Sequence, residues 1–431
     1  MNKSRAPCLP ALAIVFLATG VAVSAPPQRP GATSPGPSQG QAHGPGTMVP
    51  AQRPRPNPAG PIVRGPVPRF GDSLPGLTPA QQLDFAAGLE EFTHVETPEG
   101  GLGPIFNNVS CVACHGAPAI GGSSDILVTR FGRATPSGFD ALSALGGSLL
   151  QSFAVDPAAQ EVVPPAANVV ARRQSTPLFG FGLIEAIPDA AILRGARGPK
   201  PDGVRGRAAV VDDVASGQRR VGRFGWKAQQ ATLLSFAGDA YLNEMGITSR
   251  LFPVENAPNG DETLLARFDP IEDPEDQVDP VTGKGDIDHA ADFMRLLAPP
   301  PRGATSLSSR QGEAVFHQTG CAVCHVPEFL TGPNDVAALD RKPVELYSDL
   351  LLHDMGSLGD GIGQAAAGPR EFRTPPLWGL RASAPYLHDG RAGSVEEAVV
   401  AHDGEGAVSR GRFLRLGPTQ RRQLLDFLGS L

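Results

Sequence analysis

Two short stretches constrain this chain more than any other feature. Residues 111–115 read Cys-Val-Ala-Cys-His, and residues 321–325 read Cys-Ala-Val-Cys-His. Two thiols at this spacing can bind the two vinyl groups of one porphyrin, and the adjacent histidine can then ligate the iron. The pattern therefore predicts two covalently bound c-type haems. We expect thioether bonds at four cysteines and proximal iron ligands at two histidines, namely Cys111, Cys114, Cys321, Cys324, His115 and His325.

The alternatives for these stretches are a thioredoxin-like redox pair and half of a zinc site. A redox pair does not need the following histidine, and a zinc site would need a second ligand pair nearby. The chain has only five cysteines and nine histidines in 431 residues, so two matches would rarely arise by chance. Covalent haem is the interpretation that accounts for both motifs.

The N-terminus predicts export. A positively charged start and a short apolar core at 11–23 precede small residues at 23–25, which favours a cleaved signal peptide over 1–25. An uncleaved anchor is the alternative, and we expect no stable membrane span after cleavage. Residues 26–68 are rich in Pro, Gly, Ser and Gln, which predicts a disordered tether. Covalent haem attachment outside the cytoplasm predicts a periplasmic location. The net charge of −7 argues against a nucleic-acid partner.

The rest of the chain is long enough for two domains, one for each motif. A capping box at Thr78 and Gln81 predicts the first helix, and apolar spacing predicts further helices over 286–297 and from Pro418 to the C-terminus. Three prolines at 299–301 mark a boundary. We therefore predict a mainly α fold of two cytochrome c-like domains, at 69–298 and 302–431, with long loop-rich insertions and one c-type haem each.

An acidic run at 272–286 leaves two interpretations open. Its carboxylates could bind Ca²⁺, or the run could be a solvated loop, which is the simpler explanation because the spacing misses the EF-hand pattern. A Ca²⁺ ion is thus an optional third cofactor.

The two haems differ in the distal ligands that the sequence offers. After His115 no methionine occurs until Met245 and no histidine until His289, which favours an open iron at the first haem. The second haem has four downstream candidates, of which His402 is best placed. A capping box at Ser394 and Glu397 predicts a helix whose apolar face His402 shares. His402 is the predicted second ligand there, with a histidine packed in the core as the alternative.

Segments 374–380, 384–390 and 394–399 resemble the C-terminal domain of bacterial di-haem cytochrome c peroxidases and of the MauG-like enzymes. A wider set is similar to the di-haem oxidoreductases, also called thiol oxidoreductases, and to the rubber oxygenases. The segments of this set are 106–111, 172–177, 181–187, 222–228 and 352–356. The peroxidases often place a methionine where this chain has His402, so the resemblance implies bis-histidine ligation. It also implies a redox partner protein.

The resemblance implies a peroxidase-like di-haem oxidoreductase, in which the first haem reacts with peroxide or dioxygen and the second transfers electrons. Glu185, in an apolar run, is the predicted acid–base group, with Arg172, Arg173 and Gln174 as partners for negative charge. Glu185 could instead pair with an arginine and anchor a loop. Trp226 resembles the aromatic residue between the haems of related enzymes, or it packs in the core. The other functions left open are a non-enzymatic electron carrier and an oxygenase that cleaves an organic substrate.

Overall fold

The computed structural model describes residues 67–431. The predicted signal peptide over 1–25 and residues 26–66 of the predicted tether lie outside that range. The helices are α1 Pro79–Thr93, α2 Cys111–Cys114, α3 Phe181–Glu185, α4 Asp189–Gly195, α5 Leu233–Ala240, α6 Glu262–Phe268, α7 Asp286–Leu296, α8 Leu307–Gln318, α9 Val395–Ala401, α10 Ala407–Leu414 and α11 Pro418–Leu428. The strands are β1 Ile105–Phe106, β2 Leu127–Thr135, β3 Gly138–Asp140, β4 Leu149–Leu150, β5 Phe153–Ala154, β6 Val169–Gln174, β7 Val210–Asp213, β8 Gln218–Val221, β9 Phe329–Leu330, β10 Pro343–Val344, β11 Leu352–Asp354 and β12 Glu371–Arg373.

Two helix pairs frame the two motifs: α1 packs on α7, and α8 packs on α11. Each pair crosses closely at a glycine. A Cβ atom at Gly88 would collide with the main chain of α7 at His289, and one at Gly312 would collide with the main chain of α11 at Gln423. The predicted capping box at Thr78 is confirmed, because its hydroxyl accepts from the main-chain N–H of Gln81, whose side chain accepts in return.

A small antiparallel sheet occupies the long segment between the motifs. Its central strand, β2, pairs with β3, β4 and β6, and Leu127 lies opposite Gln174. Alternating residues of β2 point to opposite faces, so Val128 and Arg130 share one face, and Arg173 of β6, which pairs with Val128, lies on that face as well. The sheet therefore positions side chains beside the first motif.

The prediction of a mainly α fold with two cytochrome c-like domains is wrong. Residues 67–431 are 35% helical and 15% strand, and strands lie in segments where the sequence predicts loops. The described residues also belong to one compact unit. The physical reason is that most strands are only two to four residues long, too short to reveal alternation in sequence, and become ordered by tertiary pairing. The exact boundary at 298–302 stays a prediction.

The apolar core explains why the described residues form one unit. Its largest buried cluster runs from Leu74 on the N-terminal side to Leu351, and so includes residues beyond the predicted boundary. A smaller cluster joins Phe316 of α8 to Phe413 and Phe427. Within residues 67–431, no helix is long and apolar enough to cross a membrane.

Candidate functional site: two cavities at the Cys-x-x-Cys-His motifs

A cavity opens at each motif. The first cavity is lined by Cys111, Cys114 and His115, and the second cavity by Cys321, Cys324 and His325. In both motifs a short helical turn follows the first cysteine, which directs both thiols and the histidine to one side. The four cysteines form no disulfide. Each motif thus presents the groups that covalent haem attachment requires to an open space.

In the second cavity His402 faces His325, and their ring centroids are 6.4 Å apart. An imidazole nitrogen binds a metal at about 2 Å and lies about 1 Å from its own ring centre, so two rings on one metal are separated by roughly 6 Å. The spacing is therefore that of two imidazoles with room for one metal ion between them.

The same two rings are oriented by the main chain. Nδ1 of His325 bonds to the carbonyl oxygen of Tyr347 at 3.0 Å, and Nδ1 of His402 bonds to that of Ala398 at 2.8 Å. Burial lowers the pKa of His325 to about 4 and also lowers the pKa of His402, so both rings are neutral. A neutral imidazole whose Nδ1–H is held by a carbonyl presents Nε2 as a ligand. Both residues therefore fit a bis-histidine haem.

His115 is held in the same way, with Nδ1 3.0 Å from the carbonyl oxygen of Gly122, and burial lowers its pKa. No second histidine lines the first cavity among residues 67–431. The residues that line it include two methionines, Met245 and Met294. Each cavity thus has a motif histidine held by a main-chain carbonyl oxygen, but the side chains that surround this histidine differ.

Polar and ionisable side chains gather in the first cavity. Asp239 and Glu244 are half-buried there, and burial raises the pKa of both carboxyls. Asn107 Nδ2 donates to Glu244 Oε2 at 2.9 Å, while Nε of Arg130 is buried without a hydrogen-bond partner. This set can exchange protons and stabilise negative charge within the cavity.

A local distortion of the chain brings these acids together. Helix α5 ends at Ala240 and continues as a π-helical turn over Tyr241–Met245. Residues five apart, such as Asp239 and Glu244, lie on different faces of an α-helix, but the wider π turn brings both into the first cavity. No periodicity in the sequence signals this turn, so the sequence does not predict Asp239 and Glu244 as site residues, and Arg130 reaches the cavity only through the pairing of β2.

One wall separates the two cavities. Gln174, Ser175, Thr176 and Trp226 line both of them. The indole N–H of Trp226 donates to the carbonyl oxygen of Gln174 at 2.7 Å, which joins the end of β6 to the tryptophan. These four residues are the ones that the two sets of lining residues share.

Residues 166–431, more than half of the chain, match the family described as "Di-haem oxidoreductase, putative peroxidase". The chain belongs to this family. A di-haem oxidoreductase holds two haems, and the two motif cavities supply a place for each.

This di-haem oxidoreductase is 29% identical over 143 residues to the methylamine utilization protein MauG of Methylorubrum extorquens. The match covers 30% of this chain and 35% of MauG, so the chain spans about a third of that relative's length. Among solved structures, the diheme peroxidase BthA of Burkholderia thailandensis shares 14% identity at a TM-score of 0.39, with 82% of this chain and 86% of that chain covered. Hydrazine synthase of Kuenenia stuttgartiensis shares 14% identity at a TM-score of 0.39, with 88% of this chain and 100% of that chain covered. These structural similarities are weak, and family membership rests on the sequence match.

The residues predicted for catalysis separate into two groups in this di-haem oxidoreductase. Gln174 and Trp226 line both cavities, whereas Glu185 and Arg172 line neither. Glu185 Oε2 lies 2.8 Å from Nε of Arg295, and its Oε1 accepts from the main-chain N–H of Leu233 at 2.7 Å. Glu185 therefore joins α3, α5 and α7. Arg172 is exposed on β6.

Two further histidines, His353 and His388, line the second cavity. His353 bonds through Nδ1 to Glu405 at 2.7 Å and through Nε2 to Asp349 at 3.1 Å, so both of its nitrogens are engaged. His388 is buried and stacks on Phe372 with ring centroids 4.3 Å apart. Met355 also lines this cavity.

Proposed function

We propose that this chain is a periplasmic, peroxidase-like di-haem oxidoreductase. Haem 1 is attached at Cys111 and Cys114 with His115 as its iron ligand. Haem 2 is attached at Cys321 and Cys324, with His325 and His402 as its two iron ligands. Haem 1 would supply the chemistry for peroxide or dioxygen, and haem 2 would supply electron exchange with a redox partner protein.

The asymmetry of the two cavities is the observation that carries this proposal. His402 stands opposite His325 at a spacing that fits a doubly ligated iron, which is the arrangement of an electron-transfer haem. Around His115 the cavity instead offers carboxyl, amide and guanidinium groups. A catalytic haem needs an open iron face and groups that move protons beside it, and the first cavity supports that role.

When bound, haem 1 supplies the redox chemistry that cleaves an O–O bond. Glu244 is placed to take the proton of a peroxide and return it to the departing oxygen, because it lines the first cavity and burial raises its pKa above the usual value of a glutamate. Asn107 holds the carboxylate through Oε2, and Arg130 offers an uncommitted N–H to negative charge. These residues replace Glu185 and Arg172 in the mechanism that we propose.

Trp226 is the proposed link between the haems, because its side chain lines both cavities and its N–H is fixed by Gln174. An aromatic ring in that wall shortens the distance that an electron must cross through saturated atoms. Gln174 acts here by its main-chain oxygen, which holds the indole in place.

An electron carrier is the second candidate function, and a specific observation favours it: Met245 and Met294 line the first cavity. A thioether on the iron of haem 1 would leave both haems saturated. Electron paramagnetic resonance of the ferric protein separates the two functions. We expect one high-spin signal from haem 1, lost on addition of peroxide, and one low-spin signal from haem 2.

The variant Glu244→Gln tests the acid–base role, and Glu185→Gln is its matched control outside the cavities. Loss of a positioned proton-transfer group costs about 10²–10⁴-fold in rate. We therefore expect Glu244→Gln to slow the reaction with peroxide by at least about 100-fold, measured by stopped-flow absorbance, with both haems retained. Glu185→Gln should keep the wild-type rate. Two low-spin signals that peroxide leaves unchanged, or equal rates in both variants, would refute the proposal.

A further inference from the structure

A cluster of three carboxylates lies outside both haem cavities. Glu255, Asp273 and Glu275 place one oxygen each within 4.8 Å of the others. Asp273 and Glu275 belong to the acidic run at 272–286, whereas Glu255 comes from a separate loop about twenty residues earlier. None of the three lines either cavity.

Glu255 shows that the cluster lacks a partner. Glu255 is only 6% exposed. Its Oε1 accepts only from the main-chain N–H of Asn256 at 2.8 Å, and its Oε2 is buried without a hydrogen bond. Oε1 of Glu275 is likewise buried and unbonded. A buried carboxylate oxygen without a donor is costly, so a group that satisfies it is expected.

No positive side chain supplies that partner. Among residues 67–431, no Lys, Arg or His forms an ion pair with any of the three carboxylates. The three carboxyl groups therefore meet at one point without a compensating cation from residues 67–431.

We propose that Glu255, Asp273 and Glu275 bind a Ca²⁺ ion. Carboxylate oxygens are hard ligands, and Ca²⁺ binds them at about 2.4 Å, so two oxygens on one ion lie at most about 4.8 Å apart. Ca²⁺ accepts irregular sets of oxygen ligands, whereas Mg²⁺ demands near-ideal octahedral geometry. Thr248 lies at the same point, because its hydroxyl donates to Asp273 Oδ1 at 2.9 Å and also contacts Glu275.

The site would connect the acidic run to the wall of the first cavity. Thr248 follows the π turn Tyr241–Met245 by three residues, and its main-chain N–H donates to Glu275 Oε2 at 2.8 Å. An ion that fixes Glu275 and Glu255 therefore fixes the segment between them and the turn that carries Glu244. This role does not depend on the reaction at haem 1.

Metal binding is tested on the full-length holoprotein after treatment with a chelator. Isothermal titration with CaCl₂ should give one site per chain, and Glu255→Gln should weaken it at least tenfold while far-UV circular dichroism stays unchanged. The matched control is Glu272→Gln, an exposed carboxylate of the same run that lies outside the cluster. It should keep wild-type affinity.

A second variant guards against misfolding at the buried glutamate. Asp273 is exposed, so Asp273→Asn should fold normally and still lose Ca²⁺ affinity. Terbium luminescence, measured in place of calorimetry, should rank the metal affinities of the variants in the same order. A wild-type protein that binds no Ca²⁺, or a Glu272→Gln variant that loses as much affinity as Asp273→Asn, would overturn the assignment. None of these measurements uses peroxide, so failure of the proposed enzyme function would leave them unaffected.

Discussion

One carboxylate, Asp360, pairs with two buried cations beside the wall between the cavities. Its Oδ2 accepts from Nε of Arg173 at 2.7 Å, and its Oδ1 lies 3.2 Å from Nζ of Lys227. The three side chains are 1%, 5% and 0% exposed, respectively. Arg173 precedes Gln174 and Lys227 follows Trp226, so this group fixes both segments of the wall.

Replacing Asp360 by asparagine keeps the shape and removes the charge. Arg173 and Lys227 then become uncompensated buried cations, and the new amide N–H₂ competes with their donors. Breaking a buried ion pair in this way costs about 3–5 kcal/mol. Lys227 keeps hydrogen bonds to the carbonyl oxygens of Glu371 at 2.6 Å and Gly368 at 3.2 Å, so we expect Asp360→Asn to lose about 3 kcal/mol.

Urea unfolding of the holoprotein, followed by far-UV circular dichroism and by haem absorbance, measures this loss. The control is Asp212→Asn, whose pair with Arg219 at 3.7 Å is exposed and should contribute less than about 0.5 kcal/mol. Adding Lys227→Met to Asp360→Asn removes one of the two uncompensated charges and should recover part of the stability. A loss below about 1 kcal/mol, or no recovery in the double variant, would refute the electrostatic reasoning.

Three further predictions concern the haems and their surroundings. His402→Met should give haem 2 a His/Met ligand pair and raise its reduction potential on the order of 0.1 V in a potentiometric titration, whereas an unchanged potential would argue against His402 as ligand. Trp226→Phe should retain both haems but slow electron exchange between them about tenfold or less in stopped-flow experiments, because an aromatic ring remains. Burial opposes the charge of His353, but hydrogen bonds with Asp349 and Glu405 prevail and raise its pKa to about 11 from 6.5. The stability that protonated His353 contributes to the fold is complete below pH 6.5 and is lost as the pH rises toward 11. The free energy of unfolding should therefore fall over that range, and it should fall less in Glu405→Gln.

The local parts of the fold follow from nearest neighbours in sequence. Thr78 caps α1 because its hydroxyl reaches a main-chain N–H three residues away, and Ser394 caps α9 in the same way. The helix predicted over 286–297 is α7, and the helix predicted from Pro418 is α11. Each of these predictions needed only interactions within a few residues.

The sheet and the core cluster that extends past the predicted domain boundary do not follow from the same local interactions. Strand β6 becomes ordered by pairing with β2, which lies more than thirty residues away, and β1 pairs with β5 across almost fifty residues. Such pairings depend on loop closure by the whole chain, and two-residue strands leave no period to detect. The expectation of two helical domains failed for this reason.

The sequence alone determined that the chain carries two Cys-x-x-Cys-His motifs, and it favoured His402 as the partner of His325. Spacing within a motif is covalent, and the apolar face of a short helix is a local property, so both can be read without a fold. Only the tertiary structure decided that Glu185 anchors helices while Asp239 and Glu244 enter the first cavity. That outcome depends on the π turn and on which distant segments close around the motif, and neither has a local signal.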